Sequence, residues 1–487
     1  MSSLSEQAII PLTVFDRVFE RSAFVTGWLV EGTVDVNAVS AALKRVTNKW
    51  RLLAGRLDSI VEGKSTRWQI KVPLGNLAPD YPTFSLTTST STVPITDYIP
   101  IPIPYSSPSL PYSLFIHPDT PRQYAAWKSK DYPLTCWHIT HFPPLRETGI
   151  SYSCIGFARC HGFFDGVGAA MIVKALISEL TSQTWPVPPL PPPGLNVNPI
   201  VDLLHRVVSD YQDTRELRDA SGYTNVGIFG ALKYAVSHSR ERWWNNAERR
   251  IFIIPAPVVS QFLDEIRSNF LSELGGSSES NHISSGDILV AWLMKTIYAQ
   301  GTADSTTVHC TNIASFRHVL APSDDRILQY PHNAFIPLPY PVYSVYDLKA
   351  NPISEIARQM SAARQTLSTQ HVVGGYLQLV DNPLTIPVHP TAQEALALSN
   401  VSASRILEAD WATVGGTKTL CGYRYFLTPT HFVFTNSVYI SGRLADGSIV
   451  LDTMLNENKR ELLQSEISHM IAEYNASNGL RRARAEG

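Results

Sequence analysis

The chain is short of charge, of cysteine and of long apolar runs, and each shortage closes off a class of protein. Charged residues make up 17% of the 487 positions, against about a quarter in an average globular protein. Lys and Arg number 40 and Asp and Glu 42, a formal net charge of −2. Without a basic excess there is no source for the phosphate neutralisation on which general nucleic-acid affinity rests. The five cysteines, Cys136, Cys154, Cys160, Cys310 and Cys421, are scattered and contain no CxxC pair. They read as free thiols in a reducing compartment. The longest apolar stretches are Ile251 to Val259, interrupted by Pro255 and Pro257, and Ile288 to Met294. Both fall well below the roughly 18 residues of a membrane-spanning helix. The opening MSSLSEQAIIPLTVFDRVFE has neither a basic start nor a sustained apolar stretch, so no secretory signal is expected. The closing LRRARAEG is basic, matches no lipidation or retention signal and is expected to fray.

Motifs for metals and nucleotides are missing too. There is no HExxH and no Cys/His cluster with zinc spacing. Neither GxSxG nor Walker A occurs, nor a GxGxxG between a strand and a helix. His138 and His141 lie three apart on a predicted strand, so they face opposite sides and make a poor metal pair. The expectation is a soluble, cytoplasmic monomer with no metal, no bound cofactor, and no nucleic-acid or membrane partner.

Apolar residues are plentiful instead. At 44% hydrophobic, a chain of this length can bury a large core without disulfide or metal staples, and intrinsic disorder is excluded. Phe24 to Val30 reads as a strand. Val36, Val39, Leu43, Val46 and Trp50 then recur at helical steps, with Asp35 or Asn37 as N-cap. Trp68, Ile70 and Val72 alternate as a half-buried strand, and Thr87 to Pro108 reads as irregular. Leu134 to Phe142 and Ile150 to Cys160 are further strands, and Gly166 to Leu180 is a buried helix. The run WPVPPLPPPGLNVNP from Trp185 to Pro199 marks the start of a stiff crossover. Beyond it come a strand (Arg249 to Ile254), a helix (Val258 to Leu271), a GGSSESN loop and a second helix (Gly286 to Ala299). Strands near Thr430 to Ser441 and Ser448 to Met454 precede a last helix from about Glu457 to Tyr474. This alternation predicts an α/β protein, divided as residues 1–184, a Pro-rich crossover over 185–225, and 226–487.

One segment carries chemistry: Arg159–Cys160–His161–Gly162–Phe163–Phe164–Asp165–Gly166–Val167–Gly168. His161 ends a predicted strand and Asp165 precedes a predicted helix. A glycine-flanked link there pushes the imidazole out of the sheet into a cleft. Asp165 is placed to accept from the first backbone N–H groups of the helix or from an arginine. A neutral histidine so held suits proton abstraction from a hydroxyl or amine. The same residues also read as a strand-end histidine before an aspartate cap, with no catalytic role.

Other segments accompany it in order: Pro11–Leu12–Thr13–Val14–Phe15–Asp16, Leu52–Leu53–Ala54–Gly55–Arg56–Leu57, and Ile283–Ser284–Ser285. Arg317, Pro322 and Tyr330–Pro331–His332–Asn333 follow, then Asp410–Trp411–Ala412–Thr413–Val414–Gly415–Gly416. With His161 to Gly166, this series resembles the HxxxD acyltransferases of the BAHD type, particularly their fungal branch. Their "LSxxD", "LAGRL", HxxxDG, "R…P…YFGN" and "DFGWG" segments fall in the same sequence. YPHN and DWATVGG depart from the last two.

The resemblance implies two chloramphenicol-acetyltransferase-like domains with a channel between them, and acyl-CoA as co-substrate. The acyl group, acetyl foremost, would pass to a hydroxyl or amine of a small specialised-metabolite acceptor. It assigns His161 as general base and Asp165 as its structural partner, pointing away from the channel. Ser399 and Asn400 fall where the family supplies oxyanion donors, although Ser399 reads equally well as a loop serine. Ser284, Ser285 and Asn333 become cofactor-binding candidates, and Arg317 is expected to pair with Asp410. Arg240, Arg242, Arg249 and Arg250 are either phosphate contacts or a solvated face. The rival readings are a peptide-synthetase condensation domain (Cys160 stands where such domains carry a second histidine), a cyclase in the same cleft, and a non-enzymatic ligand-binding protein.

Overall fold

A computed structural model describes the chain from Gln7 to Ala485, apart from residues 64, 210–213, 220, 274–282 and 383. The GGSSESN loop, residues 275–281, therefore lies outside the described residues, as do the side chains of 272, 273 and 478–485.

The amino-terminal half is built on the strand Ala23–Glu31, buried at every position but the last. A strand covered on both faces reads as an apolar run rather than an alternation, and AFVTGWLV is such a run. It pairs antiparallel with the equally buried Tyr152–Cys160. Tyr152–Cys160 pairs antiparallel with Cys136–Phe142, which takes a parallel partner, Ser85–Thr90, at the sheet edge. Helices Val36–Lys49 and Gly166–Leu180 pack together within the same core. Asp35 is the cap of the first, accepting from the Asn37 and Ala38 N–H groups.

The fifth strand of this sheet comes from far away. Lys418–Leu427 pairs antiparallel with the outer side of Ala23–Glu31. In the other direction, Ser106–Pro108 leaves the first half and pairs with Glu248–Ile254. That pairing makes it one edge of an eight-stranded sheet. Its main path runs through Phe335–Pro337, Thr307–Ser315, Glu394–Asn400, Ser437–Arg443, Ile449–Leu455, Glu248–Ile254 and Ser106–Pro108. The strands Thr307–Ser315, Glu394–Asn400 and Ser437–Arg443 run parallel to one another and the other pairs are antiparallel. The stretch expected to be irregular, Thr87 to Pro108, thus supplies a strand to each sheet. The sheets exchange strands, so they do not follow the sequence division at 184 and 226.

The second half packs around helix Ser285–Tyr298, which contacts Ile353–Gln365 and Glu457–Ala485. The latter helix runs to Ala485, into the tail expected to fray. The crossover carries two helices, Pro199–Val208 and Arg215–Asp219. Asn198 caps the first, with Pro199 in its first turn, where a missing N–H costs nothing. All five cysteines are buried and unpaired.

Candidate active site

The strand Tyr152–Cys160 ends opposite Ala23, and the chain then turns sharply. The His161 N–H donates to the Ser22 carbonyl at 3.0 Å, and Phe163 N–H closes back on Cys160 at 3.0 Å. Gly162 permits the turn: a Cβ there would lie 2.0 Å from the Tyr124 hydroxyl and 2.6 Å from the Asp16 carbonyl. His161 is thereby left beyond the sheet. Its ring stacks flat on Phe19, with centroids 3.9 Å apart and planes within 8°, and meets the Phe24 ring at 64° with centroids 5.1 Å apart.

Nδ1 of His161 is buried and meets no hydrogen-bonding partner of good geometry among the described residues. Burial, then the Arg159 charge, pushes the imidazole down to about 3, while its own backbone carbonyl is the leading group that favours a proton on it. At neutral pH the ring is uncharged.

Asp165 caps helix Gly166–Leu180: Oδ1 accepts from Val167 N–H at 3.0 Å and Gly168 N–H at 2.9 Å. Its partner across the molecule is Arg317, whose Nη1 and Nη2 reach Oδ2 and Oδ1 at 2.8 and 3.0 Å. The remaining Arg317 donors go to the Tyr330 carbonyl, the His332 carbonyl and the Ser315 hydroxyl. The expected pairing of Arg317 with Asp410 is therefore incorrect. Asp410 is exposed and caps a short turn by accepting from Ala412 N–H at 2.9 Å. The Arg317 cation is spent on the HxxxD aspartate instead.

Asn333 also differs from expectation. It is fully buried and does not line the cavity. Its Nδ2 donates to the His161 carbonyl at 3.1 Å and to Asp16 Oδ1 at 3.0 Å. Asp16 closes a capping box with Thr13 and is held at about 6 by burial, against its hydrogen bonds from Thr13 and Asn333. Asn333 thus anchors the backbone of the candidate base and is no cofactor contact.

A cavity of about 1780 Å³ lies between the two halves. His161, Phe19, Phe24 and Arg159 line it from the first, and Ser284, Ser285, Ser399 and Asn400 from the second. Ser284 caps helix Ser285–Tyr298 through its hydroxyl, and Ser285 accepts from Arg267 at 2.6 Å. The Asn400 Oδ1 accepts from Ser402, which leaves its amide nitrogen beside Gly286. Arg240 lines the cavity, whereas Arg249 is bound to Asp452. Among the described residues no group of three or more His, Cys, Asp or Glu is placed to hold a metal ion. No helix among them is long and apolar enough to cross a membrane.

The sequence reading gave no role to Phe19, Arg159 or Arg424, all of which line the cavity. Arg159 carried a signal, since it is the single charge in a strand whose other residues read as buried. Phe19 carried none.

No family model matches the chain. It is 25% identical to the O-acyltransferase pboC of Aspergillus ustus over 251 residues, 51% of this chain and 48% of that protein. It is 22% identical to the acetyltransferase adrJ of Penicillium roqueforti over 304 residues, 59% and 56% of the two chains. The matches thus span about half the length of these relatives. Among solved structures, TRI101 of F. graminearum, complexed with coenzyme A and T-2 mycotoxin, superposes with a TM-score of 0.64. The match is 13% identical and covers 94% of this chain and 97% of that one. The first condensation domain of the calcium-dependent antibiotic synthetase superposes at 0.52, with 10% identity and 95% coverage of each. The architecture is the two-domain, chloramphenicol-acetyltransferase-like α/β fold.

Proposed function

We propose that the chain is a cytoplasmic, monomeric acyltransferase. It would move an acyl group, acetyl first among candidates, from coenzyme A to a hydroxyl or amine of a small specialised-metabolite acceptor. The observation that carries this reading is His161: an uncharged imidazole stacked on Phe19 at the wall of a cavity of about 1780 Å³. The names of the two relatives, an O-acyltransferase and an acetyltransferase, support the reaction class.

In the tautomer protonated at the buried Nδ1, Nε2 carries the lone pair. It takes the acceptor's proton as the acceptor oxygen or nitrogen attacks the thioester carbonyl. The tetrahedral intermediate then collapses, the C–S bond breaks, and the imidazolium returns its proton to the CoA thiolate. Ser399 and Asn400 line the same cavity and are the candidate donors to the oxyanion, a contribution of roughly 3–4 kcal/mol where such donors are preorganised. Acyl-CoA is a co-substrate, and no metal, nucleic acid or membrane takes part.

Condensation domains share the fold, so the fold alone does not separate the two readings. Position 160 does not separate them either: the Cys160 side chain is fully buried, faces the Ser22 carbonyl and does not line the cavity. The test is thiol release from acetyl-CoA in the presence of a hydroxylated metabolite extract, with wild type and His161→Ala side by side. Thiol release with a new acylated product, lost in the variant, supports the reading. Equal release by both proteins sinks it.

A further inference from the structure

Arg159 and Arg424 project from the same face of the amino-terminal sheet. Arg159 is paired in register with Phe24, and Arg424 with Thr26, two residues further along the same strand. Alternate residues of a strand share a face, so both guanidiniums rise beside the Phe24 ring. Their Cζ atoms lie 5.1 and 4.9 Å from its centroid. Both residues are more than nine-tenths buried, and both line the cavity that His161 faces.

Neither cation has a carboxylate partner among the described residues. Arg159 spends Nε on the Phe164 carbonyl and Nη1 on the Thr26 hydroxyl. Arg424 has Nε and Nη1 buried without any acceptor. Its Nη2 would lie 4.0 Å from a Cβ on Gly166, at the start of the helix that follows His161. The acidic residues of the cavity are committed elsewhere: Asp165 to Arg317, Asp287 to Arg364, Glu394 to Lys459, Glu408 to Arg405, and Glu241 to Asn245 and Asn456. Nearby Asp452 is bound to Arg249. Burial pushes Arg159 and Arg424 down to about 9 and 10, so both remain charged at neutral pH.

Arg424 Nε and Nη1 are closed off within the protein, whereas Nη2 of each arginine is not, and in the open cavity water can satisfy these outer donors. Substrates displace that water, and a ligand with nothing to offer two buried guanidiniums leaves them stranded. We propose that Arg159 and Arg424 form a carboxylate-binding subsite beside His161, so that one of the two reacting molecules carries a carboxylate. This rests on the acyl-transfer reading for its choice of partners. The CoA phosphates are not the anion, because the whole pantetheine arm separates them from the thioester that His161 addresses. The carboxylate belongs either to the acceptor or to the far end of a dicarboxylic acyl group.

Two matched probe pairs distinguish these sources by titration calorimetry on the full chain: cholate against its methyl ester, and malonyl-CoA against acetyl-CoA. In one pair the acid should bind about ten- to a hundred-fold more tightly, the range of a hydrogen-bonded charge. Arg424→Gln and Arg159→Gln should each reduce that preference, and His161→Ala should keep it. Equal affinity within both pairs, including no binding by any member, overturns the proposal on wild type alone, whether or not the arginine variants fold. A preference that survives both arginine substitutions overturns it too. Failure of the acyl-transfer reading looks different: no thiol release from either thioester, with a cholate preference still in place.

Discussion

Arg317 and Asp165 meet through both carboxylate oxygens, at 2.8 and 3.0 Å, across 152 positions of sequence. The aspartate belongs to the turn that carries His161. The arginine opens the short helix Arg317–Leu320 and donates to the Tyr330 and His332 carbonyls of the YPHN segment. One ion pair therefore joins the catalytic segment of the first half to the YPHN segment of the second. The carboxylate also takes the Ala334 N–H at 3.2 Å, so its capacity is largely filled.

Removing either partner leaves a buried charge, which costs about 3–5 kcal/mol. Arg317→Ala and Asp165→Ala should be similarly destabilising, and the double variant clearly less than their sum. Denaturant unfolding of the four proteins measures this. Asp410→Ala removes only an exposed cap and should cost no more than about 1 kcal/mol. Additivity of the first two, or severe damage from the third, would contradict the assignment.

His161→Ala should lower turnover by about 10²–10⁴-fold with little change in melting temperature. The pH profile is the sharper test. Protonation inactivates a general base, and burial has moved His161 down from 6.5 to about 3. Activity should therefore persist well below pH 6. An acid limb centred at 6.5 would show that the imidazole in the working enzyme is solvated.

Stability, in contrast, should fall early on acidification. His138, His309 and His332 are buried and held at about 4 in the folded chain. The unfolded chain binds their protons from pH 6.5 downward, so each loses roughly 1–2 kcal/mol of stability between pH 7 and 5. Asp16, raised to about 6, works in the opposite direction, gaining as pH falls from 6 toward 3.8. His161, held at about 3, adds a fourth loss, and together these outweigh the one gain. Melting temperatures should drop between pH 7 and 5, and a flat or rising profile would refute the burial of these rings.

Gly168 sits against the YPHN turn: a Cβ would lie 1.9 Å from the Pro331 carbonyl oxygen. Gly168→Ala forces the two halves apart at the ion pair and should cost about 1–3 kcal/mol or more. Unfolding of the purified variant gives the number, and no change would mean that Gly168 and the Pro331 carbonyl are not in contact.

The strand, tight turn and helix around His161 could be read from sequence because each leaves a local signature. An apolar run, a glycine link, a capping aspartate and an apolar helix follow in order, and Gly166–Leu180 has the expected ends. The edge strand Ser85–Thr90 left no such mark, since its outer half is exposed and its sequence, SLTTST, is polar. Lys418–Leu427 leaves no clear mark either: CGYRY and Leu427 are buried, but Arg424 breaks the apolar run. The pairing of Arg317 with Asp165 is hidden in the sequence for a related reason: sequence order indicates which segments are present, not which ones meet. The same holds for Asn333, which is used to fix a backbone carbonyl.

The borrowed strand has a consequence for how the protein is made. The outer side of Ala23–Glu31 is covered only when Lys418–Leu427 arrives, about 270 residues after Cys160 has left the ribosome. At about 5–20 residues per second that interval is roughly 15 to 50 seconds. Throughout it the nascent amino-terminal half presents an unpaired, apolar strand edge, the kind of template on which other chains assemble. Expression yield should therefore depend on chaperones that hold this edge, and a fragment ending near residue 184 should aggregate where the full chain does not.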